Sequence, residues 1–435
     1  MKKTYSCKYI HNYIYLAPDQ LRHCCKRFYV NGKMKGDVKI FDIKNDDDVS
    51  VDKIIREKKR LYKDINSKKK TECSGCPYLY KEEWPEIDNL KIKHMSIENH
   101  SVCNMKCTYC SEIYYGGKKS NYDLNNLLYK LESSGVLSRD LRIVWGGGEP
   151  VLSKDFNESF DFIIDKLNPS SVMVYTNATI FNHTIEKYLK NKKIMITTSI
   201  DAGNQNTFKK VRGVKTFDKV FKNLKNYADA CMGKNVIIKY IFTNDNSSYE
   251  EINGFLEKIK EYNLFKCQFQ ISYDFTSENI SKQQLLSTSK LYFDLKENNI
   301  EDVFFDYHLK PRIQKSLKEF LKKDDPELKL LLNNYKLINK NKTDVIIWGA
   351  GDSGRSLLKE KYLMNFFNYE IKYFVDKKKD NLLKYIDKFK IESPETIINN
   401  NYKVLIASTA FYGEIRNEFF KIDNNPKRLI ENLFL

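Results

Sequence analysis

The chain has 435 residues, 41% of them hydrophobic and 13% aromatic, with a formal net charge of +17. That composition can build ordinary cores, so a disordered chain is excluded, and the length suggests roughly three domains. The positive charge would suit an anionic partner. However, the lysines are scattered (Lys53, Lys58, Lys59, Lys63, Lys68, Lys69 and onward), with no compact basic helix and no aromatic-interleaved RNA motif, so nucleic acid is set aside.

Met1 to Cys7 leads into no apolar stretch, so no signal peptide is expected. No run of about 18 apolar residues occurs, so no membrane span is expected either. A cytoplasmic location follows. In a reducing compartment the ten cysteines read as metal ligands rather than disulfides.

Residues 1–90 hold Cys7, Cys24, Cys25, Cys73 and Cys76 and read as a small cysteine-rich β module. Ile14-Tyr15-Leu16 and Phe28-Tyr29-Val30 are β-prone runs, and Asn31-Gly32 is a hairpin turn signal. Cys73-Ser74-Gly75-Cys76 is a CxxC knuckle, which offers two thiolates to one metal. With Cys7 and either Cys24 or Cys25 it completes a four-thiolate set, suited to zinc or to an iron–sulfur cluster.

Next comes Cys103-Asn104-Met105-Lys106-Cys107-Thr108-Tyr109-Cys110, three thiols in a CxxxCxxC spacing. Soft thiolates select zinc, copper(I) or an iron–sulfur cluster. A structural zinc site wants four protein ligands, and no fourth is evident. A four-iron cluster can take three and keep one iron open.

Around this run, residues 91–310 alternate strands and helices. Strands are expected at Ile92–Ile97, Leu141–Trp145, Ser171–Tyr175, Ile194–Ser199, Val236–Phe242 and Cys267–Tyr273, with a last short one at Phe304-Phe305. Tyr122–Leu131 is an amphipathic helix, with leucines at 124, 127, 128 and 131. Repeated βα units predict a parallel α/β architecture. Polar or glycine residues follow the strands: Gly146-Gly147-Gly148-Glu149-Pro150, Thr176-Asn177, Asp201 and Asp274. In parallel α/β folds that edge is where ligands bind. Cys231 and Cys267 belong to neither cysteine set and read as buried structural thiols.

Residues 311–341 read as a helical linker, broken at Asp324-Asp325-Pro326. From 342 to 435 the pattern is Rossmann-like. Val345–Trp348 is a buried strand feeding Gly349-Ala350-Gly351-Asp352-Ser353-Gly354 and a helix. Tyr373–Val375 closes on Asp376, 22 positions beyond Gly354, near the ~20 of a dinucleotide fingerprint. Val404–Ser408 is a later strand. Gly349, Gly351, Gly354 and Asp376 are therefore the candidate contacts for a nucleotide, NAD or a nucleotide-sugar.

The cysteine triad, the GGEP element at Gly147–Pro150 and the strand-end residues resemble the radical S-adenosylmethionine (radical SAM) superfamily. The resemblance covers roughly half the chain. It implies a partial (β/α)6 TIM-type barrel in which Cys103, Cys107 and Cys110 hold a [4Fe–4S] cluster. The open iron would chelate the amino and carboxylate groups of S-adenosylmethionine. An electron from a reductant such as flavodoxin or ferredoxin would then release a 5′-deoxyadenosyl radical. Tyr109 fits the aromatic position before the last cysteine. Gly147 and Gly148 would let the backbone approach the methionine moiety, and Glu149 would accept from its ammonium. Thr176-Asn177-Ala178 is similar to the family's TNG element, with Ala178 for glycine. Ser199 and Asp201 match its ribose-contacting positions.

The N-terminal cysteines are similar to a SPASM-type auxiliary-cluster segment, except that they precede the barrel rather than follow it, and zinc remains the alternative. The C-terminal segment also resembles small Rossmann-like domains appended to bacterial sugar-modifying enzymes. The resemblance therefore implies hydrogen abstraction from a small molecule (a sugar or nucleotide-sugar, in a surface-glycan pathway) or from a peptide. The rival reading is a non-enzymatic zinc scaffold with a nucleotide-sensing domain.

Overall fold

The computed structural model describes the chain except residues 1–2, 32, 111–115, 275–278, 301, 307–308, 378–384, 408–411 and 431–433. Ser408, at the end of an expected strand, and Gly32 of the expected turn lie outside the described residues. The chain forms two compact units, one of residues 1–200, 204–238 and 260–267, the other of 201–203, 239–259 and 268–435.

The first unit opens with β1 (Thr4–Ser6), β2 (Tyr13–Leu16), β3 (Gln20–Arg22), β4 (Arg27–Val30), β5 (Lys33–Gly36), β6 (Lys39–Asp42) and β7 (Tyr80–Glu82). β4 and β5 pair antiparallel around Asn31, as the turn signal predicts. The Ile14–Leu16 run behaves differently from a free-standing module. All four residues of β2 are buried, and β2 pairs parallel with β8 (Ile92–Ile97), Tyr13 opposite His94 and Leu16 opposite Ile97. A strand buried on both faces needs neighbours on both edges, and β3 covers the other edge antiparallel. Of residues 1–90, β2, β3 and β6 thus belong to the same sheet as the strands that follow, a correction to the separate module expected, while β1 with β7 and β4 with β5 form two-stranded sheets of their own.

β9 (Leu137–Trp145), β10 (Ser171–Tyr175) and β11 (Met195–Ser199) complete this unit's sheet, in the order β11-β10-β9-β8-β2-β3-β6. β8 to β11 pair in parallel. The helix Leu124–Ser133 buries Leu124, Leu127, Leu128 and Leu131, the spacing read from sequence, and Asp123 caps it by accepting from the Asn126 amide. Trp145 at the end of β9 is buried against Phe156 and Phe160.

β12 (Val236–Phe242) leads into the second unit, where its later residues neighbour β13 (Gln268–Tyr273), and β13 pairs parallel with β14 (Val303–Phe305). The repeated parallel βα units make this an α/β protein with a TIM-type partial barrel. The stretch expected as a linker is two packed helices, Lys310–Lys322 and Pro326–Asn334. Gln314 donates to the Phe434 carbonyl at 3.0 Å, and Tyr335 stacks on Phe293. Also within this unit are β15 (Thr343–Trp348), β16 (Tyr369–Val375), β17 (Tyr385–Ile386), β18 (Phe389–Glu392), β19 (Lys403–Ile406) and β20 (Leu429–Ile430). Their order is β17-β18-β16-β15-β19-β20, all parallel except the β17–β18 pair. From β18 to β20 that is the 3-2-1-4-5 order of a doubly wound sheet.

Candidate active site

The cysteine loop is held from several sides by named contacts. The helix Gln205–Arg212 ends against it, and the Arg212 and Val211 carbonyls accept from the amides of Lys106 (3.1 Å) and Thr108 (2.9 Å). Gly213 follows in the left-handed region at φ 80°, and a Cβ there would stand 2.9 Å from the Lys106 carbonyl oxygen. A glycine C-cap is what lets the loop lie against the helix end. The Arg212 guanidinium donates to the Tyr109 hydroxyl and lies over its ring, 5.8 Å from the centroid. Arg212 is buried, and its charge also acts on Cys103, Cys110 and Glu149. No motif marked it; its only sequence signal is the Arg-Gly step at a helix end.

A second set of contacts comes from the ends of β9 and β10. Asn177 Nδ2 lies 3.7 Å from Cys103 Sγ and donates to Asn104 Oδ1 at 2.8 Å, while Asn104 donates to Thr179. The Met105 amide is 3.4 Å from Cys103 Sγ. Ala178 adopts φ 53°, the conformation for which glycine is the unstrained residue.

The thiols act on one another. Burial first, and then the Glu149 and Cys107 charges, raise the pKa of Cys103 against the Met105 amide. Cys110 is the most open of the three. Even so, the protein around its sulfur, followed by the charges of Cys107 and Cys103, pushes it up to about 12. Three soft thiols in one short loop are a donor set a cation would stabilise. Among the described residues no three Cys, His, Asp or Glu side chains are placed so that together they could hold a metal ion, so the thiols would have to turn towards one another on ligation. Ligation expels the thiol protons and removes that mutual repulsion. In chemistry and number the donor set fits a three-cysteine cluster.

Several expectations from the resemblance meet different geometry. Gly147 and Gly148 have φ 80° and 54°, but their missing side chains face the chain itself. A Cβ on Gly147 would stand 2.7 Å from Glu98 Cβ and from the His100 carbonyl oxygen, and one on Gly148 2.2 Å from the Val102 carbonyl oxygen. These glycines seat the segment that delivers Cys103, and the Glu149 amide donates to the Val102 carbonyl at 2.9 Å beside them.

Glu149 has no solvent exposure. It accepts from Thr176 Oγ1 at 2.8 Å, the Asn177 amide at 2.5 Å and the Val151 amide at 3.5 Å. Burial raises its pKa to about 7 against those donors. As it stands it ties β9 to β10. Asp201, two residues past β11, is equally buried at φ 60°, and its carboxylate accepts from the Ile241 amide at 2.6 Å. Ser199 is half-buried, so of the two ribose candidates it is the one with open surface.

The N-terminal cysteines pack in two hydrophobic clusters that share Cys24. Cys7 and Cys73 are buried in one hydrophobic cluster, with Cys24 and Cys76 packed on it. Cys24 and Cys25 both pack on a second cluster of Tyr13, Tyr15 and Ala17, where Cys25 Sγ lies 3.1 Å from the Tyr13 hydroxyl, itself 2.7 Å from Ser96 Oγ. Cys231 and Cys267 are buried, as read. In the C-terminal domain Gly349 takes φ 114°, and a Cβ on Gly354 would stand 2.0 Å from the Gly349 carbonyl oxygen, whereas Gly351 faces open space. Asp376 Oδ2 accepts from the Ala350 amide at 2.9 Å, so the fingerprint acid braces its own loop.

Residues 97–259 match the family model described as Radical SAM superfamily. Residues 341–430 match the one described as C2185-like, N-terminal. A GTP 3′,8-cyclase of Clostridium botulinum (strain Okra, Type B1) is 25% identical over 175 residues, which is 40% of this chain and 54% of the cyclase. An uncharacterized protein of Methanocaldococcus jannaschii is 30% identical over 115 residues, 25% of this chain and 39% of that one. The chain thus spans about half the length of the cyclase it matches. Among solved structures, Streptococcus suis SuiB bound to precursor peptide SuiA is 17% identical, covers 61% of this chain and 65% of its own, and has a TM-score of 0.40. No helix of the described residues is long and apolar enough to cross a membrane. By its 97–259 domain the chain belongs to the radical SAM superfamily, whose enzymes use a [4Fe–4S] cluster and S-adenosylmethionine.

Proposed function

We propose that Cys103, Cys107 and Cys110 hold the cluster, that Ser199, Asn177 and the backbone of 146–149 surround the methionine and ribose parts of S-adenosylmethionine, and that the product radical takes hydrogen from a sugar or nucleotide-sugar. The observation that carries this reading is the clamped loop: three mutually acting thiols held by Val211, Arg212 and Asn177. The bound cluster and cofactor supply the hydrogen-abstracting radical; the chain supplies placement. Arg212 fixes Tyr109, and Glu149 fixes Thr176 and Asn177.

The substrate class rests on the second unit. A cavity of about 260 Å³ at the ends of β12 and β13 is lined by Asn244, Asp274, Gln284 and Arg312, among others. Arg312 Nη1 donates to the Asp274 carbonyl at 3.1 Å, which fixes the guanidinium in the lining. Amides, a carboxylate and a guanidinium suit hydroxyl groups and phosphate better than an apolar ligand. The name of the C. botulinum relative, with GTP in it, supports a nucleotide-bearing substrate.

Anaerobic reconstitution with iron and sulfide, followed by reduction and chromatography for 5′-deoxyadenosine, tests the reading. We expect cleavage, stimulated by a nucleotide-sugar and not by peptides. Stimulation by a peptide alone would overturn the substrate class, and zinc without iron or cleavage would favour a non-enzymatic scaffold.

A further inference from the structure

Gly146, Gly147 and Gly148 stand in a row, and the fold accounts for only two of them. Gly147 and Gly148 have positive φ and lie hard against the chain. Gly146 is not in the left-handed region. A Cβ there would meet Tyr175 Cβ at 3.5 Å, Tyr175 Cδ2 at 3.7 Å and Glu98 Oε1 at 3.8 Å, all ordinary contacts. Neither backbone conformation nor crowding asks for a glycine at this position. A glycine that the backbone does not need marks a place where something else comes close.

Glu98, Gly146 and Tyr175 are neighbours across three parallel strands. Ile97 of β8 lies opposite Trp145 of β9, and Trp145 opposite Val174 of β10. The next residue of each strand is therefore Glu98, Gly146 and Tyr175, and the Gly146 amide donates to the Ile97 carbonyl at 2.9 Å to hold that register. Trp145 is buried against Phe156 and Phe160 of the helix Phe156–Phe162, and Val174 is buried as well. Side chains alternate along a strand, so the three neighbours face the opposite way, away from that helix. Tyr175 is 41% exposed although β10 has strands on both edges, and Glu98 is partly exposed. A carboxylate and an aromatic ring thus flank a gap whose floor is Gly146. Two residues on, Gly148 lies against Val102, which precedes Cys103, so the gap adjoins the cysteine loop.

The charges around Glu98 narrow what fits there. Burial raises its pKa, and the hydrogen bond from Tyr15, then the charges of Arg27 and Arg22, oppose that. The Arg22 guanidinium lies over the Tyr15 ring, 5.1 Å from its centroid. Both arginines also face Asp37, Arg27 Nε at 2.9 Å and Arg22 Nη1 at 3.6 Å. Two guanidiniums against two carboxylates leave this wall without net charge, so nothing there calls for a cationic ligand. A phosphate in the gap would meet the Glu98 carboxylate. A neutral ring carrying hydroxyl groups satisfies both flanks, since its hydroxyls donate to a carboxylate and its C–H face packs on an aromatic ring.

We propose, resting on the sugar reading of the substrate, that the gap over Gly146 is the subsite for the sugar ring, with Tyr175 packed on one face and Glu98 accepting from the hydroxyls. All of its residues belong to the first unit.

The test is saturation-transfer NMR on the full chain, which reads binding without turnover. The probes are methyl glucoside, methyl galactoside and UDP-glucose, with n-butylamine as a cationic rival. We expect transfer to sugar ring protons and none to the amine. Gly146→Val fills the gap and should remove that transfer with little change in Tm, because its Cβ meets no atom closer than 3.5 Å. Should it fail to fold, Tyr175 still decides: Tyr175→Ala should weaken sugar binding about tenfold and Tyr175→Phe should retain it, while Glu98→Gln should also cost about tenfold. Four results would each overturn the proposal: no transfer from wild type to any sugar, transfer unchanged in Gly146→Val or Tyr175→Ala, transfer to the amine alone, or displacement of the sugars by S-adenosylmethionine. Absence of 5′-deoxyadenosine in the cleavage assay would defeat the proposed reaction and leave this binding result standing, so the two fail separately.

Discussion

The seating of the cysteine loop can be tested at a single atom. In Gly148→Ala the new Cβ stands 2.2 Å from the Val102 carbonyl oxygen and 2.6 Å from the Ser101 carbonyl carbon, where ordinary contact begins at 3.4 Å. Val102 must therefore retreat by about 1 Å, and Cys103 is the next residue. The left-handed φ adds roughly 1–2 kcal/mol of strain for a residue with a Cβ, worth a few degrees of Tm in a protein of this size. A displacement of ~1 Å in a positioned catalytic group can cost ~10²-fold in rate. The strain and the displacement can be separated with Gly135→Ala, because Gly135 also has a positive φ of 69° but nothing within 4 Å of its Cβ position.

Both variants should therefore show the backbone-strain loss in thermal unfolding, and Gly148→Ala a larger one, because its Cβ must also displace Val102. Only Gly148→Ala should lose S-adenosylmethionine cleavage, by about two orders of magnitude, together with part of its iron. The assay is 5′-deoxyadenosine formation with iron and sulfide per chain, measured on anaerobically reconstituted protein. If Gly148→Ala cleaves as fast as Gly135→Ala with full iron, the glycines do not seat the loop and the reasoning fails.

Cys107→Ala should abolish both the iron–sulfur absorption of the catalytic loop and cleavage, because it removes one of three protein thiolates; cleavage surviving in a variant with all three changed would sink the assignment. Arg212→Ala should lower cluster occupancy without unfolding the chain, and Arg212→Lys should not restore it, since an ammonium cannot both donate to Tyr109 and stack as a guanidinium does; iron stoichiometry checks this. Burial, then the Lys58 charge, lowers His11 to about 4 from 6.5. The unfolded state therefore binds the proton first as pH falls, so stability should drop by up to ~3 kcal/mol between about 6.5 and 4. Urea unfolding of wild type and His11→Gln should show that slope flattened in the variant.

Much of the barrel was legible because each strand is a short apolar run with a polar or glycine stop. β8, β10 and β12 begin and end where the sequence indicates, and β9 is longer by the residues from Leu137. What the sequence hid were partners far away along the chain. Tyr13–Leu16 looks like any buried strand, and nothing local says that it pairs with Ile92–Ile97. Glu149 and Asp201 sit in the right motif, yet their hydrogen bonds to Thr176, Asn177 and Ile241 depend on which strands lie side by side. Arg212 has no motif at all: its place beside Tyr109 follows from where the helix Gln205–Arg212 ends.

The C-terminal fingerprint yields the last prediction, because the structure assigns its three glycines different work. Gly349, at φ 114°, takes a backbone that side chains rarely adopt, and Gly354 lies so close to the Gly349 carbonyl that a methyl would stand 2.0 Å from its oxygen. Those two hold the turn between β15 and the helix Asp352–Lys359 together, with Asp376 bonded to the Ala350 amide as a brace. Gly351 alone has open space where a side chain would go. It is the N-cap of that helix, where backbone amides and the dipole favour a phosphate. Gly354→Val should therefore destabilise the domain, whereas Gly351→Val should fold normally and lose only ligand. Calorimetric titration of the full chain with NAD, NADP and nucleotide-sugars checks this, and the Asp376 carboxylate predicts that NADP is the poorest of them. Equal binding by Gly351→Val and wild type, or no heat from any ligand with wild type, would mean that the fingerprint serves packing alone.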